Sequence, residues 1–321
     1  MLMLSVSPYA GDTDLQAIAD LLNYCATVDQ LDQYSTPAEL QLEFNDPLLD
    51  QSRDLQLWRD TTGRLIGFAQ IWMPQSVTDV DGWLWFRVHP DARGSQIETD
   101  MIAWGERRLR EIGRNKGVTV HLRSGCRSDQ SYVIQLLEKS GFSVDRQFLT
   151  MMKSLIPPIP TPKIVEGFTL RPSQGRTDAT AWVEMYNQSF VDHWNHHPLT
   201  VEEHCYWLEN DPNYRPELDL VAIAPDGTFA AFCSCHIDRE YNSHHGCNEG
   251  WIGRLGTRRG FRRMGLGRAM LLAGMQRLWE AGIDTVKLGV DTQNPNQALH
   301  LYESVGFRQL HMRLSYVKPL T

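Results

Sequence analysis

The segment Leu109 to Gly113 reads LREIG, and 169 positions later Leu278 to Gly282 reads LWEAG. A second pair, LEKSGF from Leu137 and YESVGF from Tyr302, recurs at a spacing of 165. Each Gly-Phe is followed after the same interval by a closing Lys-x-Leu, in Lys153-Ser154-Leu155 and Lys318-Pro319-Leu320. Self-similarity at this period means two copies of one fold, with the four-residue difference expected in a longer loop near Arg123 to Gln130. Between the copies lies Pro157-Pro158-Ile159-Pro160-Thr161-Pro162. Prolines at this density cannot continue a helix or a central strand and make a stiff linker. The expected division is a first domain over 1–156, a linker over 157–163 and a second domain over 164–321, which suits a chain of 321 residues.

The net charge of −8 argues against a general binder of nucleic acid or anionic membrane, since either needs a basic field. Apolar runs are too short to span a bilayer, and MLMLSVSPYAGDTD lacks the charged start and cleavage pattern of a secretory signal. A cytoplasmic enzyme, monomeric or homodimeric, is expected. The six cysteines are scattered in a chain too large to need staples and read as reduced thiols. Cys233, Cys235, His236, His244, His245 and Cys247 fall within fifteen positions, but C-x-C puts both thiols on one strand face without a C-x-x-C knuckle. The DREYNSHHG stretch reads as a hairpin tip, so no metal site is expected.

Coarse periodicity predicts helices near 14–24, 37–44, 98–113, 132–140 and 178–190, and strands at 55–58, 65–72, 83–88, 118–122, 218–224 and 229–237. The most informative stretch is Trp251 to Gly282, WIGRLGTRRGFRRMGLGRAMLLAGMQRLWEAG: a strand, a turn rich in glycine and arginine, and a helix closed by glycine. Gly265 and Gly267 let the backbone pass close to a bulky ligand, and the helix that follows turns its unpaired N–H groups back toward the turn. Arg262, Arg263 and Arg268 add positive charge there, so phosphate or pyrophosphate is the natural guest. The spacing R-x-x-G-x-G is neither a phosphate loop, which would end in Gly-Lys-Ser/Thr, nor a dinucleotide fingerprint, which would need glycine at Met270. Thr285 to Val290 then alternates as a strand. Asn294-Pro295 reads as the cap and first turn of a helix that carries Ala298, Leu301, Tyr302 and Val305 on one face and stops at Gly306-Phe307.

This run, from Leu255 through NPNQALHLYESVGF, resembles the acyl-CoA core of the GNAT acyltransferase superfamily. The resemblance implies an α+β fold with a mixed α/β sheet, here as two tandem GNAT-like acyl-CoA N-acyltransferase domains. With the tandem arrangement, the FVDHWN segment (Phe190 to Asn195) and the closing DTQNPNQALHLYESVGF are similar to mycothiol synthase and its relatives, which pair a degenerate first domain with an active second one. Two positions depart from that pattern: Asn195 follows His-Trp where the family has glycine, and Met264 precedes Gly265. The first bears on the acceptor and neither on the acyl donor.

The resemblance implies acetyl-CoA as cosubstrate. Its pyrophosphate is expected on the backbone and side chains of Arg262, Arg263, Met264, Gly265, Leu266, Gly267 and Arg268. The pantetheine arm is expected along Leu255, Gly256 and Thr257, where a backbone N–H polarises the thioester. Tyr302 stands at the family's tyrosine position as acid for the leaving thiolate. Asn294 contacts CoA or caps its helix. An alkyl amine with a pKa of about 10.4 is mostly protonated at neutral pH, so a base helps. Glu249 is the first candidate, with Asp192, His193 and Asp291 as alternatives. Carried back by 169, Gly265 meets Gln96 and Gly267 meets Glu98, a carboxylate where the pyrophosphate would sit, while Tyr302 meets Leu137 at the 165 spacing. The expectation is therefore a catalytic second copy and a first copy that does not bind CoA. The implied activity is N-acetyl transfer to a small amine such as an amino sugar, with no nucleic-acid or membrane partner. A CoA-responsive regulatory module and a peptide N-terminal acetyltransferase are the alternatives.

Overall fold

Thr36 accepts the Glu39 N–H while the Glu39 carboxylate takes the Thr36 N–H, with Pro37 at the first helical position, so a helix has to begin there. Thr200 and Glu203 repeat the device at the matching place in the second copy, a further recurrence legible in the sequence as T-x-x-E. In the first copy the elements are β1 (Ser5–Pro8), α1 (Asp12–Val28), α2 (Pro37–Phe44), α3 (Gln51–Asp54), β2 (Leu55–Arg59), β3 (Leu65–Trp72), β4 (Asp79–Val88), α4 (Ile97–Lys116), β5 (Thr119–Arg127), α5 (Ser131–Lys139) and β6 (Ser143–Ser154). The second copy has β7 (Thr169–Pro172), α6 (Ala179–Phe190), α7 (Val201–Asn210), β8 (Asp219–Ile223), β9 (Phe229–His236), α8 (Arg239–His245), β10 (Glu249–Thr257), α9 (Leu266–Glu280), β11 (Thr285–Asp291), α10 (Ala298–Ser304) and β12 (Arg308–Leu320).

The computed structural model describes residues 4–74 and 79–320, and its compact units do not follow the two copies. Unit one is Met1–Gln147 with Arg313–Thr321; unit two is Phe148–Met312. In unit one the strand order is β1-β2-β3-β4-β5-β12, and in unit two it is β6-β11-β10-β9-β8-β7. The difference from the expected boundary at 157–163 lies in the closing strands. Arg313 to Leu320 of β12 pair antiparallel with β5 of unit one, and Phe148 to Ser154 of β6 pair antiparallel with β11 of unit two. Each copy thus lends its last strand to the unit built from the other. Lys318 of the recurring Lys-x-Leu shows the consequence: its Nζ donates to the Ser140 carbonyl at 2.6 Å and to Glu106 at 2.5 Å, beside the first copy's Gly-Phe.

Within unit two, α9 buries nearly its whole circumference, with Met270, Leu271, Met275 and Leu278 packed on Cys233, Ile252, Val286 and Leu288 of the sheet. Cys233 and Cys235 lie beneath that helix, both buried. Among the described residues one strand pair in each unit is parallel. The β10–β11 ladder runs from Glu249↔Thr285 to Ile252↔Leu288 and ends, while β10 continues against β9 to Thr257 and β11 against β6 to Asp291. The two strands therefore part, and the opening faces the start of α9. In unit one, β4 and β5 part in the same way after Trp83↔Arg123.

Three local expectations change. The loop expected near Arg123 to Gln130 is strand through Arg127, and most of the extra length of the first copy lies before that strand, where α4 runs 20 residues against 15 for α9. DREYNSHHG is a helix, not a hairpin tip, because Asp238 caps the Tyr241 N–H and Gly246 closes it in the left-handed region. Asn294 does not cap α10, which begins at Ala298 after Gln297; its Oδ1 accepts the Asn296 N–H at 2.8 Å and shapes the preceding loop. Among the described residues no helix is long and apolar enough to cross a membrane.

Candidate active site

The parting of β10 and β11 opens a cavity of about 450 Å³ in unit two. Leu255, Gly256 and Thr257 form one wall; Arg262, Arg263, Gly265, Gly267 and Arg268 form the rim; Asn294, Leu301 and Tyr302 form the far side. Of the residues expected to meet CoA, Met264 and Leu266 do not line it. Met264 is 46% exposed, and Leu266, the first residue of α9, is buried in the core. Phe190 of the FVDHWN segment also lines it, and Ser189, Asn296, Gln297 and His300 do so without having been assigned a role by the sequence, since no spacing rule ties the end of α6 to this loop.

The rim is a row of free donors. Gly265 takes φ +90°, a left-handed conformation that suits glycine, and Arg263 takes φ +66° beside it. Among the described residues no acceptor meets the N–H groups of residues 263 to 268. The first intrahelical bond is from the Ala269 N–H to the Gly265 carbonyl at 3.1 Å.

The first copy shows what happens when the same geometry closes. α4 begins at Ile97 after Gln96, as α9 begins at Leu266 after Gly265, so the 169 spacing holds residue for residue. Glu98 is 2% exposed, and its Oε1 accepts the Gly94 N–H at 3.0 Å and the Tyr132 hydroxyl at 2.5 Å. Gly94 corresponds to Arg263, so a carboxylate already sits on a donor that the second copy leaves open. Ser124 Oγ also donates to the Leu84 carbonyl at 3.1 Å, stitching β5 to β4 across their parting. The cavity left there is about 40 Å³.

The repeat also separates structural arginines from anion-facing ones. Arg93 binds Asp29 through two N–H groups at 2.7 and 2.8 Å and donates from Nε to the Val88 carbonyl. Arg262, its counterpart, donates from Nε to the Thr257 carbonyl, to the Ser189 carbonyl at 2.9 Å and to Asp192 at 2.8 Å. An arginine that does the same work in a closed copy is a brace for the turn. Arg259 shares Asp192, and hydrogen bonds from Arg262 and Arg259 hold that carboxyl below the usual carboxylate range. Arg268 donates to Ser304 Oγ at 2.8 Å, and no carboxylate pairs with it or with Arg263 among the described residues.

Tyr302 is 7% exposed on α10, with its ring against Phe307 and its hydroxyl without a partner among the described residues. Burial, aided by the nearby Cys233, pushes its pKa well above that of a free phenol, so it stays protonated. Glu249 is not brought to the cavity. Its carboxylate pairs with Lys287, 3% exposed on β11, at 2.5 Å, and five strand residues lie between it and Leu255, about 20 Å along the chain. Asp291 is buried and accepts the Gln293 N–H at 2.9 Å. His193 does line the cavity, and its Nδ1 meets the Trp194 carbonyl at 2.9 Å. A carbonyl only accepts, so the neutral ring carries its proton on Nδ1 and its lone pair on Nε2.

Comparison with known proteins identifies the family. The model of the acetyltransferase (GNAT) family matches residues 179–307, which span the cavity. A mycothiol acetyltransferase from Thermobispora bispora is 30% identical over 232 residues, covering 71% of this chain and 73% of that one. The chain belongs to the GNAT acetyltransferase family. Its fold is also that of a solved GCN5-related N-acetyltransferase from Sphaerobacter thermophilus, with a TM-score of 0.76 at 23% identity over 99% of this chain and 96% of that one. A tandem GNAT protein from the clavulanic acid biosynthesis pathway has a TM-score of 0.72 at 14% identity, covering 99% of each chain. This GNAT protein is an acetyl-CoA-dependent N-acetyltransferase, with acetyl-CoA as donor and an amine as acceptor.

Proposed function

We propose that the cavity of unit two is the active site, that the matching site of unit one binds no CoA, and that the acceptor is a small amine-bearing metabolite. The observation that carries this reading is the row of unoccupied N–H donors at residues 263 to 268, set against the Glu98 carboxylate on the matching donor of the first copy. The diphosphate of acetyl-CoA rests on that row, with Arg263 and Arg268 adding charge and Arg262 bracing the turn. The pantetheine arm enters between β10 and β11 along Leu255 to Thr257, where a backbone N–H polarises the thioester carbonyl. His193 Nε2 takes the proton as the amine attacks, in place of the Glu249 first expected. The Tyr302 hydroxyl donates to the sulfur as the C–S bond breaks. The enzyme acts in the cytoplasm, as a monomer or homodimer.

A thiol-release assay over a panel of small amines and short peptides tests this. Release that depends on a small amine is the expected result. Tight CoA binding without release on any acceptor would make the protein a CoA-responsive module, and release on peptides alone would make it a peptide N-terminal acetyltransferase. The division of labour has its own test in Glu98→Ala. Losing a buried acceptor for both Gly94 and Tyr132 is expected to cost about 1–3 kcal/mol in urea unfolding, while kcat/KM for acetyl-CoA stays unchanged. A large fall in kcat/KM without loss of stability would place cofactor binding in the first copy.

A further inference from the structure

Among the described residues Arg254 is a cation without a counter-ion. It stands on β10 between the Gly253 bulge and Leu255 and is exposed, and among the described residues no carboxylate lies within ion-pair distance of it. Its neighbours in the turn are paired: Arg258 with Glu184, and Arg259 and Arg262 with Asp192. Asp219 feels its field, but that carboxylate is buried and accepts the Ser234 hydroxyl at 2.5 Å. The uncompensated charge reaches inward as well. His204, stacked on Trp182 at 4.1 Å, has its pKa lowered to about 4 by burial and by Arg254.

The placement sets this cation next to the cavity, whose lining includes its strand neighbour Leu255 but not Arg254 itself. Alternation on the strand sends Arg254 and Leu255 to opposite faces while their Cα atoms stay about 3.8 Å apart. The guanidinium lies 5.5 Å from the centroid of the Tyr186 ring, and that ring packs at 4.8 Å on Phe190, a wall of the cavity. Held over an aromatic face, an arginine keeps a pre-organised fork of N–H groups, which suits two-point binding of a planar or tetrahedral oxyanion.

We infer that Arg254 binds an anionic group, carboxylate or phosphate, carried by the acceptor, so that the preferred acceptor is an amine with an acidic substituent and not a neutral amino sugar. This rests on the reading of unit two as the acetyl-transfer site. The pairing has a chemical use beyond affinity. An anion next to an ammonium holds its proton, and neutralising that anion with a guanidinium favours the free amine that attacks.

The test compares matched acceptors with wild type, Arg254→Leu and Arg254→Lys: alanine with alaninamide, and glucosamine 6-phosphate with glucosamine. Wild type is expected to favour the anionic member of one pair by about 100-fold in kcat/KM. Which pair responds tells carboxylate from phosphate. Arg254→Leu is expected to abolish the preference by slowing only the anionic member, with KM for acetyl-CoA unchanged, and Arg254→Lys to restore part of it. Equal turnover within both pairs, or an equal loss for both members in Arg254→Leu, would overturn the inference. Should no amine release thiol, the acetyl-transfer reading fails separately. The inference is then decided by calorimetry of alanine and glucosamine 6-phosphate against the CoA-loaded protein, where uptake that is absent, or unchanged by Arg254→Leu, overturns it.

Discussion

Gly267→Glu is expected to abolish acetyl-CoA binding and leave the protein fully folded. The first copy has already made this change, since Glu98 holds the matching position and its carboxylate sits on the Gly94 N–H. In the second copy the new carboxylate would take the Arg263 N–H and repel the diphosphate. Losing two charge-assisted hydrogen bonds costs about 4 kcal/mol, which is roughly a 1,000-fold rise in Kd. Stability does not suffer, because a Cβ at Gly267 meets only Thr257 Oγ1 at 3.5 Å and Leu301 at 3.7 Å, ordinary contacts. A carboxylate in the first turn of α9 also favours the helix dipole by about 0.3–1 kcal/mol. The measurement is a pair: the Kd for acetyl-CoA and the melting temperature. Loss of both together would mean that Gly267 serves packing instead of the ligand.

The second large effect is on chemistry. Tyr302→Phe is expected to lower kcat by about 100-fold with little change in KM for acetyl-CoA, since the phenol meets sulfur only as the C–S bond breaks. The ring against Phe307 is retained in the variant, so folding is not at stake. The raised pKa of Tyr302 fixes the sign of the pH dependence. Activity climbs with pH as the acceptor amine loses its proton, and it does not fall again by pH 10, because a phenol held above its ordinary pKa is still protonated there. A descending limb between pH 8 and 10 that vanishes in Tyr302→Phe would show instead that the hydroxyl ionises in that range.

Much of this was legible in the sequence. The 169 spacing predicts which residues of the two copies correspond, and it holds at the helix starts, where Gly265 faces Gln96 and Gly267 faces Glu98. That single comparison suggests both the open site and the closed one. It does not reveal the exchange of closing strands, because the Lys-x-Leu motif looks the same whichever unit it completes, and only pairing partners tell Lys318 from Lys153. Nor does it sort the arginines. Arg262 and Arg263 are adjacent in the chain, yet one is spent on Ser189, Thr257 and Asp192, and the other lies in the left-handed region with its N–H free. The setting of Glu249 was hidden for a similar reason. A carboxylate at a strand start reads as solvent-facing or catalytic, and its buried partner Lys287 is visible only once β10 and β11 are paired.

Calorimetry with acetyl-CoA tests the central claim most directly. The account predicts one molecule bound per chain in the wild type, the same in Glu98→Ala, and none in Gly267→Glu. Two molecules per chain, or one that survives Gly267→Glu, would place the cofactor in the first copy and contradict it.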